Sequence, residues 1–148
     1  DFDMDKVIEK NKDNQVFYCQ YAYARASSVL RKANNFKKFK RLKESLNFFD
    51  KNSISEYEWL IILKLLAWPY VLKNAAENKQ PHRITNYLED LCSLFHTFWN
   101  KGKENYNLRL IDEANVKKTI SKLIWVSFFQ QTLNQIFTII GIDSPETM

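Results

Sequence analysis

The sequence predicts an all-α protein, an antiparallel bundle of four to five helices that forms a single domain over residues 1–148. Only 2 of the 148 residues are glycine and 3 are proline, so few tight turns are available to join short strands. Apolar residues recur at helical spacing, and strand-like alternation never lasts more than a few residues. Hydrophobic residues make up 45% of the chain and aromatic residues 15%, which is enough for a real core.

The first helix is expected to begin near Asp13 or Asn14, because either side chain can cap a first turn. It should run to about Ala33, since two asparagines follow and disfavour its continuation. Residues 31–43 carry seven basic side chains and no acidic one. From there to about Ser53 the sequence is typical of a loop or a short helix.

The second helix should open at Ser55, because Ser55 and Glu58 have the spacing of a capping box. Pro69 lacks an N–H and crowds the preceding turn, so the helix is expected to kink or restart there and to end near Asn78. Pro81 suits the first turn of the next helix.

The third helix has the clearest amphipathic pattern and is expected to stop around Gly102. One face carries apolar residues at i, i+3, i+4 and i+7 spacing: Ile84, Tyr87, Leu88, Leu91, Phe95, Phe98 and Trp99. This face should pack against the core.

The last helix is expected from about Glu113 to Ile140, with Gly141 suited to a left-handed C-terminal cap. Residues 123–142 carry no charge and are long enough to cross a bilayer. Four side-chain amides lie in their centre, however, and each would be costly in lipid. A buried bundle helix is therefore favoured over a membrane span. The amides belong to Gln130, Gln131, Asn134 and Gln135.

Catalytic patterns are absent from the sequence. His82 and His96 lie about four helical turns apart, too far to share a metal, and the two glycines form no phosphate loop. Cys19 and Cys92 show no metal-ligand spacing and are expected to be half-buried thiols. We therefore expect no catalysis, no metal and no cofactor in this chain. Because the chain starts at Asp1 rather than Met, we expect it to be part of a longer protein.

A recognition surface is the remaining hypothesis. On a helix, Tyr18, Tyr21, Arg25 and Ser28 share one face, while Val16 and its neighbours point elsewhere and can pack. A ring beside a guanidinium suits single-stranded RNA, since the ring can stack on a base and the guanidinium can bind phosphate. The alternative is that the tyrosines belong to the core and the arginine pairs with a carboxylate of the bundle.

The net charge of +5 and the basic run 31–43 fit a polyanionic partner, although a solvated loop explains such a run equally well. If RNA binds here, the side chains that would contact its phosphates are Arg31, Lys32, Lys37, Lys38, Lys40 and Arg41.

Three stretches of the sequence resemble, in the right order, the C-terminal anticodon-binding domain of bacterial-type arginyl-tRNA synthetases. "NQVFYCQYAYAR" (14–25) is similar to the family segment N-P-V-F-Y-V-Q-Y-A-H-A-R. Residues 56–100 resemble its run of E-x-x-L-I-x-x-L-x-x-F-P, P-H-R, Y-L-x-D-L-A and F-H-x-F-Y-N motifs. "IIGIDSPETM" (139–148) looks like its L-L-G-I-x-A-P-E-R-M terminus.

The resemblance implies the all-α fold of the D-A-L-R anticodon domains and a role in binding the anticodon loop of tRNA-Arg. In the family, residues at the positions of Tyr21, Arg25 and Met148 lie at that loop, and Trp99 takes the place of a nearby tyrosine. The parent enzyme, arginine--tRNA ligase, attaches arginine to tRNA using ATP and Mg. Its catalytic domain would lie upstream and be a second partner. We further expect a cytoplasmic monomer without membrane contact.

Departures from the family pattern include Tyr23 for histidine, Cys19 for valine, Gln15 for proline and Thr147 for a basic residue. The D-A-L-R signature is not visible, and residues 107–115 are the nearest stretch. Two alternatives remain open. One is the same domain from a cysteinyl or methionyl enzyme, and the other is a non-enzymatic helical bundle that binds a protein or a membrane through its aromatic residues.

Overall fold

The computed structural model describes residues 14–34 and 49–148. Within these residues it contains four α-helices and no strand, which confirms the predicted all-α bundle. The helices are α1 (Gln15–Asn34), α2 (Glu56–Glu77), α3 (His82–Glu104) and α4 (Val116–Ile140). Short 3-10 helices at Lys51–Ser53 and Tyr106–Leu108 precede α2 and follow α3.

Helices α2 and α3 run in opposite directions, and so do α3 and α4, where Phe95 meets Phe129 and Phe98 meets Trp125. Lys64 of α2 bonds Asp90 of α3, while Lys101, near the end of α3, lies over Tyr57 at the start of α2. Both α3 and α4 contact α1 and α2, whereas α1 and α2 do not pack on each other in the described residues. The middle of the bundle is therefore formed by α3 and α4, with α1 and α2 on different sides.

The predicted helix starts are confirmed where a capping side chain was identified. Asn14 Oδ1 accepts hydrogen bonds from the N–H groups of Val16 and Phe17, at 3.0 and 3.3 Å. The capping box of α2 is complete, since Ser55 Oγ accepts from the Glu58 N–H and the Glu58 carboxylate accepts from the Ser55 N–H. These bonds satisfy N–H groups that have no partner within the helix.

Two predicted boundaries differ from the structure. Helix α4 begins at Val116 rather than near Glu113, because Asn115 caps it and the Asp112 carboxylate binds the Ala114 N–H in a preceding turn. Helix α3 runs two residues past Gly102 to Glu104, since a glycine weakens a helix by only about 1 kcal/mol. At its C-terminus α4 ends as predicted, with Gly141 in the left-handed conformation at φ 74°.

Pro69 does not divide α2, which continues from Glu56 to Glu77. The turn before the proline is held from outside the helix, because the Trp68 indole N–H donates to Gln135 Oε1 and its ring stacks on Tyr87. Tertiary contacts thus compensate for the hydrogen bond that proline cannot donate. The helix ends at Glu77 with Asn78 as its C-cap, which confirms the predicted end near Asn78.

The core forms where the predicted apolar face of α3 meets α4. Phe95 stacks on Phe129 with ring centroids 4.4 Å apart, and Phe98 meets the edge of Trp125 at 5.4 Å. All members of the predicted α3 face are buried except Trp99, which is half-buried. This face is therefore confirmed as the core side of the helix.

Three residues of α1 and α3 are more deeply buried than the sequence indicated. Cys19 and Cys92 are fully buried, not half-buried, because they lie where α1 packs on α3, and burial raises the pKa of the Cys92 thiol. Tyr23 is also buried and packs against the Phe137 ring of α4 at 5.8 Å. It is a core residue.

Lys122 of α4 is the most unusual core residue, with only 1% of its surface exposed. Its ammonium group donates to the backbone oxygens of Asn107 and Arg109, at 3.1 and 3.0 Å, and lies 3.7 Å from a Glu58 carboxylate oxygen. Glu58 is fully buried and also accepts from the Trp125 indole N–H at 3.1 Å. Burial lowers the pKa of Lys122, and the nearby Glu58 charge opposes that shift.

The outward side of α2 is apolar and exposed. Leu63, Leu66 and Tyr70 have 59%, 72% and 72% of their surface accessible. Among the described residues, α2 is the one helix long and apolar enough to cross a membrane by length and composition, and only 17% of that stretch is buried. Helix α4, which contains the uncharged stretch 123–142 up to Ile140, does not meet this criterion.

We predict that Lys122→Met destabilises the protein by about 3–5 kcal/mol, because it leaves the Glu58 charge buried and two backbone oxygens without their donor. The measurement is chemical unfolding followed by circular dichroism. The double variant Lys122→Met with Glu58→Gln should recover part of that loss, since no uncompensated charge remains. A loss below about 1 kcal/mol in the single variant would contradict this role.

Candidate nucleic-acid interface

Arg25 of α1 lies at the centre of an aromatic cluster that is open to solvent. Its guanidinium carbon is 4.0 Å from the ring centroid of Tyr21 and 5.1 Å from that of Trp99 on α3. Tyr21 is 38% exposed, and Arg25 and Trp99 are half-buried. The structure thus brings together three of the predicted site residues, which come from two helices.

His96 of α3 is the buried member of the cluster and lies on the core side of Arg25. Arg25 Nη1 lies 2.9 Å from His96 Nδ1, and His96 Nε2 lies 3.1 Å from the backbone oxygen of Tyr18. The imidazole also packs against the Tyr18 ring, with centroids 4.3 Å apart. Burial lowers the pKa of His96, the hydrogen bond to the Tyr18 backbone oxygen opposes that shift, and the Arg25 charge lowers the pKa further, so the environment favours the neutral ring.

Arg25 has no carboxylate within ion-pair distance in the part of the chain that the structure describes. The alternative in which this arginine pairs with a carboxylate of the bundle is therefore not supported. Its neighbours are aromatic faces and a neutral ring, which hold a cation through its attraction to π electrons. The positive charge is left available to an anion.

The rest of the predicted α1 face divides between surface and core. Ser28 is exposed, whereas Tyr18 is half-buried and its burial raises its pKa. The expectation that Val16 packs is wrong, because this residue is 43% exposed near the start of the helix. Tyr18 supports His96 rather than forming part of the open surface.

A cavity of about 570 Å³ adjoins the cluster and shares Trp99 with it. Most of its lining residues are apolar, and three are cationic: Lys32 from α1, Lys103 from α3 and Arg109 from the segment after α3. The volume is within the range of small-ligand pockets. An apolar lining with basic residues suits an unstacked base that carries its phosphates.

The C-terminal tail lies against α1. Gln20 Nε2 donates to the backbone oxygen of Asp143, and Arg31 Nη1 donates to that of Glu146, at 3.1 and 2.8 Å. These contacts bring the tail along the helix that carries Tyr21 and Arg25. Met148 at its end is 52% exposed.

The predicted phosphate contacts separate into three groups. Arg31 is engaged with the tail, including an exposed ion pair of 3.5 Å with Glu146, whereas Lys32 lies at the cavity. The remaining four side chains of the prediction lie outside the described residues: Lys37, Lys38, Lys40 and Arg41.

Three residues in or under this surface are not predicted by the sequence patterns: His96, whose spacing from His82 only excludes a shared metal, and the cavity residues Lys103 and Arg109. The spacing of His96 and Trp99, three residues apart on one helix, was the available signal for the first. For Arg109 there was none, since the path of the chain after α3 depends on contacts with Lys122.

The family model and the similar proteins that match this chain all belong to one family. The model of the DALR anticodon binding domain matches residues 19–148. The arginine--tRNA ligases of Bartonella tribocorum and Rhizobium etli are 38% and 39% identical to this chain, in alignments that cover 100% of the chain and 26% of each ligase.

A solved structure extends this similarity to the fold. A crystal structure assigned as an arginyl tRNA synthetase from Campylobacter jejuni has a TM-score of 0.76 and 25% identity, over 99% of this chain and 29% of that one. The chain spans about a quarter of the length of the ligases it matches. By the match of the family model to residues 19–148, the chain belongs to the family of DALR anticodon binding domains.

Proposed function

We propose that this chain binds the anticodon loop of tRNA-Arg as the anticodon-binding domain of an arginine--tRNA ligase. The proposal rests on the surroundings of Arg25. This cation has no carboxylate partner among the described residues, and its guanidinium lies against the rings of exposed Tyr21 and half-buried Trp99. The ligases that match the whole chain favour arginine over the cysteinyl and methionyl alternatives.

In this proposal one unstacked base of the loop stacks on Tyr21, and Arg25 binds the adjoining phosphate or a base edge. A second base enters the cavity beside Trp99, where Lys32 and Lys103 neutralise phosphates at its walls. Met148 reaches the same loop from the tail that lies along α1.

Catalysis belongs to other parts of the proposed ligase. The chain spans about a quarter of the length of the ligases that match it, so most of such an enzyme lies outside the matching domain. In this proposal ATP and Mg act in the catalytic domain. We propose a monomeric enzyme of the cytoplasm, in which this domain needs no cofactor of its own.

The catalytic domain would contact the exposed face of α2. This face presents Leu60, Leu63 and Leu66 next to an apolar groove of about 260 Å³ between α2 and α4. The relatives are about four times as long as this chain, so a large body of protein accompanies the matching domain in them. Lys64 in the middle of α2 pairs with Asp90, which fits a protein interface better than a lipid one.

We predict that Tyr21→Ala and Arg25→Ala each weaken binding of the arginine anticodon stem-loop by about 1–3 kcal/mol, the usual contribution of a stacked base. Binding is measured by fluorescence anisotropy with the full-length protein. Tyr70→Ala on α2 is the matched control, since it removes an exposed tyrosine from another helix and should leave binding unchanged.

Unchanged affinity in both site variants would contradict the assignment of the site. The same titration with cysteine and methionine stem-loops tests the choice of tRNA. Preference for either of them would replace arginine in the proposal, and absence of binding to all three would favour a helical bundle without an RNA ligand.

The cavity walls lead to a second prediction. Lys32→Gln and Lys103→Gln should each reduce the slope of log K against log salt by about 0.7–0.9, because each removes one phosphate contact. Lys73→Gln is the control, since Lys73 pairs with Glu77 on α2. An unchanged slope in both cavity variants would place the phosphates elsewhere.

A third prediction concerns the apolar face. Leu66→Glu in the full-length protein should destabilise the docked arrangement by roughly 1.5–3 kcal/mol, the value of a buried leucine, while stem-loop affinity stays unchanged. Thermal unfolding measures the first effect and anisotropy the second. Ile139→Glu, an exposed site near the end of α4, serves as control. Equal stability of both variants would exclude the α2 face as the surface that contacts the catalytic domain.

A further inference from the structure

We propose that His96 is a positioning residue for tRNA recognition, whose neutral imidazole accepts a hydrogen bond from Arg25 and holds the guanidinium beside Tyr21 and Trp99. The proposal rests on the function proposed above, since it concerns how Arg25 is presented to RNA. It assigns a role to a side chain that lies beneath the recognition surface and is 6% exposed.

The hydrogen-bond partners of His96 allow only one arrangement of protons. The backbone oxygen of Tyr18 can only accept, so His96 Nε2, 3.1 Å away, must carry the hydrogen. The Arg25 guanidinium can only donate, so His96 Nδ1, 2.9 Å from Nη1, must present its lone pair. A neutral Nε2–H tautomer satisfies both requirements, and a protonated ring satisfies only the first.

Protonation of His96 would therefore release Arg25. A second N–H would point at the guanidinium, and two positive charges would lie within hydrogen-bond distance of each other. In the described residues no carboxylate lies within ion-pair distance of either group to offset this repulsion.

The other groups around the imidazole do not supply a compensating charge. From α1 the rings of Tyr18 and Tyr21 face it, at centroid distances of 4.3 and 6.0 Å, and burial raises the pKa of the Tyr18 hydroxyl, so that it stays uncharged. On α3, Phe95 packs against it, and Cys92 one turn earlier is buried, with its thiol pKa raised, so that it stays protonated.

The sign of the resulting pH dependence is distinctive. A histidine that only adds positive charge to a binding surface strengthens RNA binding as it becomes protonated. His96 should have the opposite effect, because its protonation displaces Arg25 from the site. The pKa of His96 is lowered by folding, so the displacement should occur below its ordinary value of 6.5.

The same shift links His96 to stability. Below pH 6.5 the unfolded chain takes up the proton first, so the stabilising contribution of the neutral ring is present above that pH. It is lost as the pH falls through the lowered pKa of the folded state. Binding must therefore be measured where circular dichroism shows each variant to be folded.

Two amide variants separate the two nitrogens of the ring. In His96→Asn the side-chain oxygen takes the place of Nδ1 and can accept from Arg25, whereas in His96→Gln the amide nitrogen takes the place of Nε2 and donates to Tyr18, which leaves no acceptor at the position of Nδ1. We expect His96→Asn to keep stem-loop affinity within about threefold of the natural protein at pH 7.5. We expect His96→Gln to lose about tenfold, the effect of one hydrogen bond to a charged group.

The experiment is an anisotropy titration of the full-length protein with the arginine anticodon stem-loop between pH 7.5 and 5. Affinity of the natural protein should begin to fall below pH 6.5, by up to about tenfold once the ring is fully protonated, and that of His96→Asn should not fall. His82→Asn, which removes the exposed histidine of α3, should keep the natural pH profile. A rise in affinity on acidification, or equal affinities of the two His96 variants, would overturn the proposal.

The tautomer can be tested without RNA. Long-range nitrogen–proton NMR correlations of the imidazole should show a neutral ring with its hydrogen on Nε2 at pH 7.5, and a hydrogen on Nδ1 would overturn the proposal. Arg25→Ala distinguishes a failure of the RNA site from a failure of the role of His96. If it binds normally, the proposed RNA site fails; if it weakens binding while His96→Gln does not, the role of His96 fails.

Discussion

The buried ammonium group of Lys122 is the interaction on which the arrangement of this domain depends. A charge with 1% exposure requires ligands, and Lys122 takes them from two places, the Glu58 carboxylate in the first turn of α2 and the backbone oxygens of Asn107 and Arg109 after α3. Glu58 is in turn bonded to Ser55 and to the Trp125 indole. One side chain of α4 therefore fixes both the start of α2 and the segment that forms a wall of the cavity beside Trp99.

Lys122 and Arg25, two cations of the described bundle, are stabilised in opposite ways. Lys122 is neutralised by a carboxylate and withdrawn from solvent, which makes it structural. Arg25 lies against Tyr21, Trp99 and a neutral His96, none of which cancels its charge. Aromatic faces orient a guanidinium while leaving it attractive to an anion, so a half-buried arginine can be rigid and still available.

The bundle also separates its two unusual surfaces. The aromatic and basic surface is built from α1, α3 and the segment after α3, whereas the apolar surface lies on α2. Since α1 and α2 do not pack on each other in the described residues, an RNA on the first surface would leave the second free. In the function proposed here, one domain can thus bind tRNA and another part of its enzyme at once.

The sequence by itself determined the helices and their faces, because these depend on local chemistry. The capping box of Ser55 and Glu58, the cap at Gly141 and the apolar face of α3 are all readable from spacing, and Tyr21 and Arg25 could be placed on one face of α1. Tertiary structure alone decided which partner each side chain meets. His96 beneath Arg25, Lys122 with Glu58 and the burial of Tyr23 join residues far apart in the chain, and helical periodicity carries no information about such contacts. The same reason explains the continuity of α2 through Pro69, where contacts with α3 and α4 outweigh a local preference.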